Sequence, residues 1–457
     1  MPPVGMVFVR GSAEEHLGEL WGKFEYVVDG RRWIGDLNPG NGNLTLSSTG
    51  VVAVSSELSG DSAKGTLYGT ARVFENPTNY TVRGVHGDCF LRLHFCPFPF
   101  DGCNMNDSIF GVVADGLRLM TEYKVRDEIL NRNSRLQDSI GNNSLYVIKE
   151  YFLSVSSGEL VIQFRPSEAS IAFINAIEVV PVVNKLFPVS LSKVGGNAAP
   201  GSVSGRGMET LYRLDVGGPG IKPSDDSDLW RTWEGDTGYM INADAGSEVK
   251  NSSNVSYASV NDSSSAPLLL YESAKTISNA QVLEKRINMS WKLFVDPDFD
   301  YLVRQHFCEL QYERPNERNF RIYVNNRTAA DNYDIYVQAG GKNRAYHQDY
   351  MDTVSPKLNT LWIQLGPETA TSAAGTDALL NGLEVFKLSR DGNLASLDRF
   401  SFPSSPNEKS KAITLWPVIG VGAASVVILA VIAALVFLFC KRRRGHLADH
   451  KGNAPGW

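Results

Sequence analysis

The chain has 457 residues and a formal net charge of −6, with 43% hydrophobic and 21% charged residues. That length holds two or three domains, each able to bury its own core, so a small scaffold dependent on disulfide staples is excluded. A mildly acidic balance excludes a nucleic-acid binder and suits basic partners.

Residues 1–26 form an atypical N-terminal segment. Met1-Pro2-Pro3-Val4-Gly5-Met6-Val7-Phe8-Val9 is too short and too interrupted for a signal-peptide core, and charged residues follow quickly, so a missing or altered start is expected. Residues 27–185 read as β: 90–95, 146–155, 160–164 and 172–180 are short, rich in β-branched and aromatic residues, and separated by Gly, Asn, Ser and Pro clusters. Residues 121–131 are the best candidate for a short helix. Residues 186–206 read as a linker or hinge, dominated from 193 onward by Gly, Ser, Ala and Pro. Residues 207–390 return to β, with strands predicted at 291–295, 300–307, 319–324, 333–337, 361–365 and 382–387. Residues 391–412 hold Ser, Pro, Asp, Asn and Lys and read as an exposed stalk.

Residues 413–440 predict a transmembrane helix. No charge occurs from 417 to 440. At about 1.5 Å per residue that run covers roughly 36 Å, enough for a bilayer core of about 30 Å. Lys441-Arg442-Arg443-Arg444 follows at once, which places the short basic tail 441–457 in the cytoplasm and Trp416 at the opposite interface. The tail holds five Lys/Arg and one Asp, a net of +4, so the rest of the chain carries −10 of the total −6. Glycosylation sequons supply an independent test. They occur at Asn43, Asn79, Asn106, Asn142, Asn251, Asn254, Asn261, Asn288 and Asn326, all before the apolar run. Both signals predict a single-pass type I membrane protein with its N-terminal domains outside.

The exterior is duplicated. Arg32-Trp33-Ile34-Gly35-Asp36 recurs as Thr232-Trp233-Glu234-Gly235-Asp236, and Leu91-Arg92-Leu93-His94-Phe95-Cys96 as Val303-Arg304-Gln305-His306-Phe307-Cys308. Val161-Ile162-Gln163-Phe164 recurs as Trp362-Ile363-Gln364-Leu365, and Ile174-Asn175-Ala176-Ile177-Glu178-Val179 as Leu380-Asn381-Gly382-Leu383-Glu384-Val385. Four matches in one order at offsets of 200 to 212 residues mean a repeated domain. Many short strands in a unit of that size predict a two-sheet sandwich.

Four cysteines, Cys89, Cys96, Cys103 and Cys308, are disulfide candidates in an oxidising space, with a local bridge among the first three favoured over one to Cys308. Cys440 reads as an apolar filler at the end of the membrane run. His94/Cys96 and His306/Cys308 place possible metal ligands on one strand face, but Arg92 and Arg304 share those faces and oppose a cation. Asp296, Asp298 and Asp300 have the opening spacing of a calcium loop, which Tyr301 and Phe307 break at positions six and twelve. Asp225-Asp226-Ser227-Asp228 reads as a solvated loop. Trp33 and Trp233 fit a shared core position better than sugar-stacking platforms. No catalytic motif, metal set or cofactor site emerges, and the ligand-contacting residues are unassigned.

Together the motifs carry a resemblance. Tyr212-Arg213-Leu214-Asp215-Val216-Gly217-Gly218-Pro219, Trp230-Arg231-Thr232-Trp233, Tyr301-Leu302-Val303-Arg304, His306-Phe307-Cys308-Glu309 and Leu380-Asn381-Gly382-Leu383-Glu384-Val385-Phe386 resemble the ectodomain of plant malectin-like receptor kinases of the FERONIA type. Ala71-Arg72-Val73-Phe74, Leu91-Arg92-Leu93-His94-Phe95 and Phe173-Ile174-Asn175-Ala176-Ile177-Glu178 agree in the first half, so the resemblance covers roughly residues 27–440. It implies an all-β ectodomain of two tandem malectin-like β-sandwich domains, 27–185 and 207–390, followed by one transmembrane α-helix. It further implies a plasma-membrane receptor facing the cell wall, with a secreted basic signalling peptide, a glycosylphosphatidylinositol-anchored co-receptor and wall pectin as partners.

Two departures shape the expectation. Residues 1–28 lack the Asn-Cys-Gly segment that usually opens such an ectodomain, so a first strand is expected to be missing or replaced. Only 17 residues follow Cys440, too few for a kinase of about 250 residues. The chain therefore reads as a kinase-less, non-enzymatic receptor-like protein acting as decoy, truncated gene product or co-receptor beside a full-length receptor kinase. The alternative is a wall-tethering, pectin-binding lectin-like protein.

Overall fold

The computed structural model describes residues 6–9, 25–28 and most of 31–395, leaving out 37–43, 49, 56–66, 137–144, 196–199, 227–228, 243–244, 252–253, 278–287 and 369–376. Of the predicted stalk 391–412, residues 391–395 are described, and Leu394 and Ala395 there are buried rather than exposed; residues 396–412, the apolar run 413–440 and the basic tail lie outside the described residues, among which no helix is long and apolar enough to cross a membrane.

Alternation along single strands builds the architecture. In Gly87–Phe95, Cys89, Leu91, Leu93 and Phe95 point into the first-half core, while Phe90, Arg92 and His94 point the other way. This strand pairs antiparallel with Val147–Val155 on one side and Ala176–Pro181 on the other. The second half repeats the unit, with Asp300–Phe307 between Arg344–Thr353 and Gly382–Leu388. The halves meet where Val147–Val155 pairs with Met208–Asp215, through Glu150↔Thr210, Tyr151↔Glu209 and Phe152↔Met208. One 13-stranded sheet therefore runs unbroken through both.

A smaller sheet covers the inner face of each half and closes its core. The first is Leu117–Tyr123, Phe110–Ala114, Glu159–Pro166, Thr78–Arg83 and Leu44–Leu46. The second is Met289–Phe294, Thr360–Pro367, Phe320–Val324 and Arg327–Tyr333. A third apolar cluster sits at the junction, where Phe187 meets Phe152 at 4.8 Å and Phe386 at 4.9 Å between ring centres, both edge to face. The described residues of the connection 186–206 are docked rather than free. The Leu186 carbonyl accepts from Arg304 at 2.7 Å, Val194 donates to the Met351 carbonyl at 2.9 Å, and Lys193 reaches Asp300 at 2.8 Å.

The strand Met6–Val9 departs from the repeat in chain direction. Met6–Val9 lies parallel to Ala176–Pro181 and antiparallel to Arg31–Gly35. Its second-half counterpart, Met208–Asp215, lies antiparallel to Gly382–Leu388 and parallel to Trp233–Gly235. The same sheet position is filled by chain running the opposite way.

Three expectations are corrected. Residues 333–337 are not a strand: a short helix, Ile335–Ala339, starts at Asp334, whose side chain accepts from the Val337 amide, and ends at Gly340 with φ 72°. The predicted strand 172–180 is broken at Asn175 into Ala172–Ile174 and Ala176–Pro181. Cys89, Cys96, Cys103 and Cys308 are all unpaired. Cys89 and Cys96 are seven residues apart along one extended run, about 23 Å, far beyond the roughly 7 Å a disulfide can bridge. Cys308 is buried in the second-half core, whereas Cys103 is exposed on a first-half hairpin.

Candidate functional site

The outer face of the large sheet carries a cross-strand ladder of alternating charge. Register places Glu178 opposite Arg92, Arg92 opposite Glu150, and Glu150 opposite Thr210 on the first strand of the second half. On that strand Arg213 faces Glu384, Glu384 faces Arg304, and Arg304 faces Asp349. Arg92 meets Glu150 at 2.7 Å and Glu178 at 2.9 Å. Arg213 reaches across the junction, 2.9 Å from Glu150 and 2.6 Å from Glu384, and Arg304 holds Asp349 at 2.8 Å. A second bridge runs from Lys149 through Glu209 to Lys387. Burial works to raise the Glu150 pKa, but Arg213 and Arg92 override it and bring it to about 2. Against the same desolvation, Glu178 is held well below the carboxylate range by Arg92 and His94, and Glu384 by Arg213 and His306.

Each half adds the same buried cluster to this ladder. His94 bonds the Tyr68 hydroxyl at 3.0 Å and Glu178 at 2.8 Å; His306 bonds the Tyr271 hydroxyl at 2.8 Å and Glu384 at 3.1 Å. Both ring nitrogens are engaged within the protein. Trp33 stands edge-on to His94 at 5.6 Å and Trp233 to His306 at 5.4 Å, and neither is more than 2% exposed, so neither is a stacking platform. Asn175 and Asn381 each accept from the Cys96 or Cys308 amide at 2.7 Å. The repeated Gly-Asp ends in a buried anchor: Asp36 takes Arg72 and Tyr80, and Asp236 takes Lys275 and Trp291. The repeats thus mark a rigid joint, not exposed chemistry.

Access to solvent is found instead in a cleft of about 650 Å³ between the halves. Asp115, Gly116, Leu117, Leu153 and Ser154 line it from the first half; Arg206, Asp300 and residues 389–392 line it from the second. Two Asp-Gly turns face it, Asp115-Gly116 with φ 47° and 78° and Asp391-Gly392 with φ 50° and 72°, left-handed pairs suited to tight reversals. Leu117 packs so closely on Gly207 that a Cβ there would lie 2.2 Å from its Cδ2. Arg206 braces one wall, donating to the Ser389 carbonyl at 2.8 Å and to Asp300 at 2.9 Å. The Asp115 and Asp391 side chains are exposed at the lips. This lining mixes the carboxylates of Asp115, Asp300 and Asp391 with the guanidinium groups of Arg206 and Arg390 and with backbone groups, which suits a polar ligand.

The other candidates fall as follows. Asp296, Asp298 and Asp300 each face a cation, Lys387, Arg390 and Lys193, in a turn before a strand. Asp226 is a correction: it is buried, not solvated, because Arg231 at 2.6 Å and the Trp233 indole at 3.0 Å close on it. Among the sequons, Asn254 and Asn326 are exposed, and Asn79, Asn106, Asn251 and Asn288 are half-buried. The side chains of Asn43, Asn142 and Asn261 lie outside the described residues. Sequence reasoning missed Glu150, Arg213, Asp349 and the cleft; only the repeated Arg and Glu positions hinted at the ladder.

Comparison with known proteins fits this geometry. The malectin-like domain family matches residues 45–388. "Probable receptor-like protein kinase At1g30570" of Arabidopsis thaliana is 49% identical over 433 residues, covering 94% of this chain and 50% of that protein. Receptor-like protein kinase FERONIA of the same plant is 30% identical, covering 94% of this chain and 49% of that protein. The chain spans about half the length of the curated relatives it matches. The crystal structure of the ANXUR1 extracellular domain from Arabidopsis thaliana aligns with a TM-score of 0.73 at 28% identity, over 86% of this chain and 98% of that one. A chain in the crystal structure of plant peptide RALF23 in complex with FER and LLG2 aligns with a TM-score of 0.66 at 27% identity, over 86% of this chain and 97% of that one. The chain belongs to the malectin-like domain family, and its homologues are FERONIA-type receptor-like kinases.

Proposed function

We propose that this chain is a receptor ectodomain region that binds a secreted basic peptide together with a lipid-anchored co-receptor at the plasma membrane. The observation that carries the reading is its likeness to FER in the structure with RALF23 and LLG2. In this reading 27–185 and 207–390 are the two malectin-like domains, 413–440 crosses the membrane, and the chain binds rather than catalyses. At the cleft the exposed carboxylates Asp115 and Asp391 offer partners to cationic groups of a ligand, beside the cations Arg206 and Arg390, with salt weakening the attraction.

Titration of the full chain with a synthetic basic, cysteine-containing peptide and with oligogalacturonides tests it. The expected result is submicromolar peptide binding that weakens with salt and is unchanged by the glycan. Binding of oligogalacturonides without the peptide would replace this reading with that of a pectin-binding tether.

Glycan mapping on chain expressed in plant cells gives a second expected outcome. Asn254 and Asn326 sit exposed in left-handed turns with φ 62° and 60°, open to the transferase, and are glycosylated. Asn79 lies within the paired strand Thr78–Arg83 and stays bare. Asn254→Gln and Asn326→Gln each remove one glycan by mass; full occupancy of Asn79 would contradict the assignment.

A further inference from the structure

After its last strand, Gly382–Leu388, the chain does not leave the body from the second half. Arg390 and Asn393 exchange two backbone hydrogen bonds of 2.9 Å around the Asp391-Gly392 turn. The segment then lies along the edge of the first half's smaller sheet. Arg118 donates to the Gly392 carbonyl at 2.9 Å and accepts from the Leu394 amide at 2.8 Å, with Arg118 and Asn393 in parallel register. Leu394 is fully buried in the first-half core, beside residues more than 200 positions earlier in the chain. Chain connectivity does not demand this return. The same residues, 389–392, form one wall of the cleft between the halves.

We propose that residues 390–395 are a releasable strap that closes the cleft and ties its opening to the chain that continues toward the membrane. Three features fit release. The strap is short, its pairing with the sheet edge is limited to one residue, and its apolar hold on the first-half core is Leu394, with Arg390 adding an exposed ion pair to Asp298. Beyond the strap the chain continues for 62 residues that include the long apolar run, so whatever positions that run acts first on this strap. Withdrawal of six residues yields about 20 Å of extended chain at roughly 3.3–3.6 Å each. It also frees the edge of Leu117–Tyr123 for another strand. The proposal is independent of what the ligand is.

The test is amide hydrogen exchange on the full chain in detergent micelles, comparing the parent with Leu394→Asp and with the pair Arg118→Cys/Asn393→Cys. In the parent, residues 390–395 exchange at least tenfold more slowly than an unstructured peptide. In Leu394→Asp that protection is lost at 390–395 and falls at 114–118 and 205–207, the facing cleft walls, while 300–307 and 382–388 are unchanged. The cysteine pair, once oxidised, slows exchange at all three cleft segments beyond the parent. If Leu394→Asp fails to fold, Leu394→Ala gives the same pattern at smaller amplitude. Unprotected residues 390–395 in the parent would overturn the proposal. So would loss of protection spread evenly over the body in either variant, or an oxidised pair without effect on 114–118 and 205–207.

Discussion

Replacing Arg213 with Ala destabilises the folded body by about 3–5 kcal/mol, the range for removing one partner of a buried ion pair. Arg213 lies between Glu150 of the first half and Glu384 of the second, at 2.9 and 2.6 Å, and all three side chains are less than a tenth exposed. Without the guanidinium Glu150 keeps only Arg92, itself shared with Glu178, and Glu384 keeps only the His306 imidazole among its ion-pair partners, so the buried ladder carries uncompensated negative charge at the junction. The loss falls where Val147–Val155 and Met208–Asp215 share three register pairs, so it acts on the joint directly. Thermal unfolding should drop by roughly 4–6 °C, using the entropy expected for a body of this size. Removing the charges together separates pairing from packing. Arg213→Met with Glu150→Gln and Glu384→Gln recovers most of the loss, because desolvation no longer has to be offset. A single variant within about 1 kcal/mol of the parent would mean that water already reaches the ladder.

The second large effect is loss of stability on acidification, in two stages. Burial lowers the His306 pKa from 6.5 to about 4, outweighing the opposing pull of Glu384. Unfolded His306 therefore takes up a proton through pH 6.5 that the folded side chain refuses until about 4. The unfolded state is favoured progressively across that window, on the order of 3 kcal/mol in all. His94 is lowered by the same burial and acts in the same direction. Below pH 4.5 the carboxylates take over: unfolded Glu150 protonates near 4.5, whereas folded Glu150 stays ionised to about 2. Its contribution is complete above the unfolded value and disappears as pH falls toward the folded one. Urea midpoints at pH 7.5, 5.5 and 3.5 should fall stepwise, and His306→Gln should flatten the first step while leaving the second. A flat profile between pH 7.5 and 5 would contradict a buried neutral His306.

How much of this was legible follows from the range of each interaction. Strand alternation is local, so 300–307 and 382–387 appear almost as predicted. The duplication was legible too, because Asn175/Asn381 and Glu178/Glu384 perform the same task in each half. The ladder was not, since Arg92 and Glu178 are 86 residues apart and Arg213 and Glu384 are 171 apart, and only strand register brings them together. The strand expected at 333–337 gives way to a helix because, although Ile335, Tyr336 and Val337 favour a strand locally, the deciding groups, Asp334 and Gly340, lie at the helix ends. Asp226 looked solvated because its partner Arg231 closes on it only through the fold of the loop.

The unbroken sheet has a consequence for recognition. Two domains on a slack tether would search for a shared ligand by sampling many separations, and ordering the tether would subtract from affinity. Here Glu150↔Thr210 and its two neighbouring pairs fix that separation when the chain folds. A ligand touching both halves meets a paired epitope of set spacing and orientation, so its length becomes a selection criterion in itself.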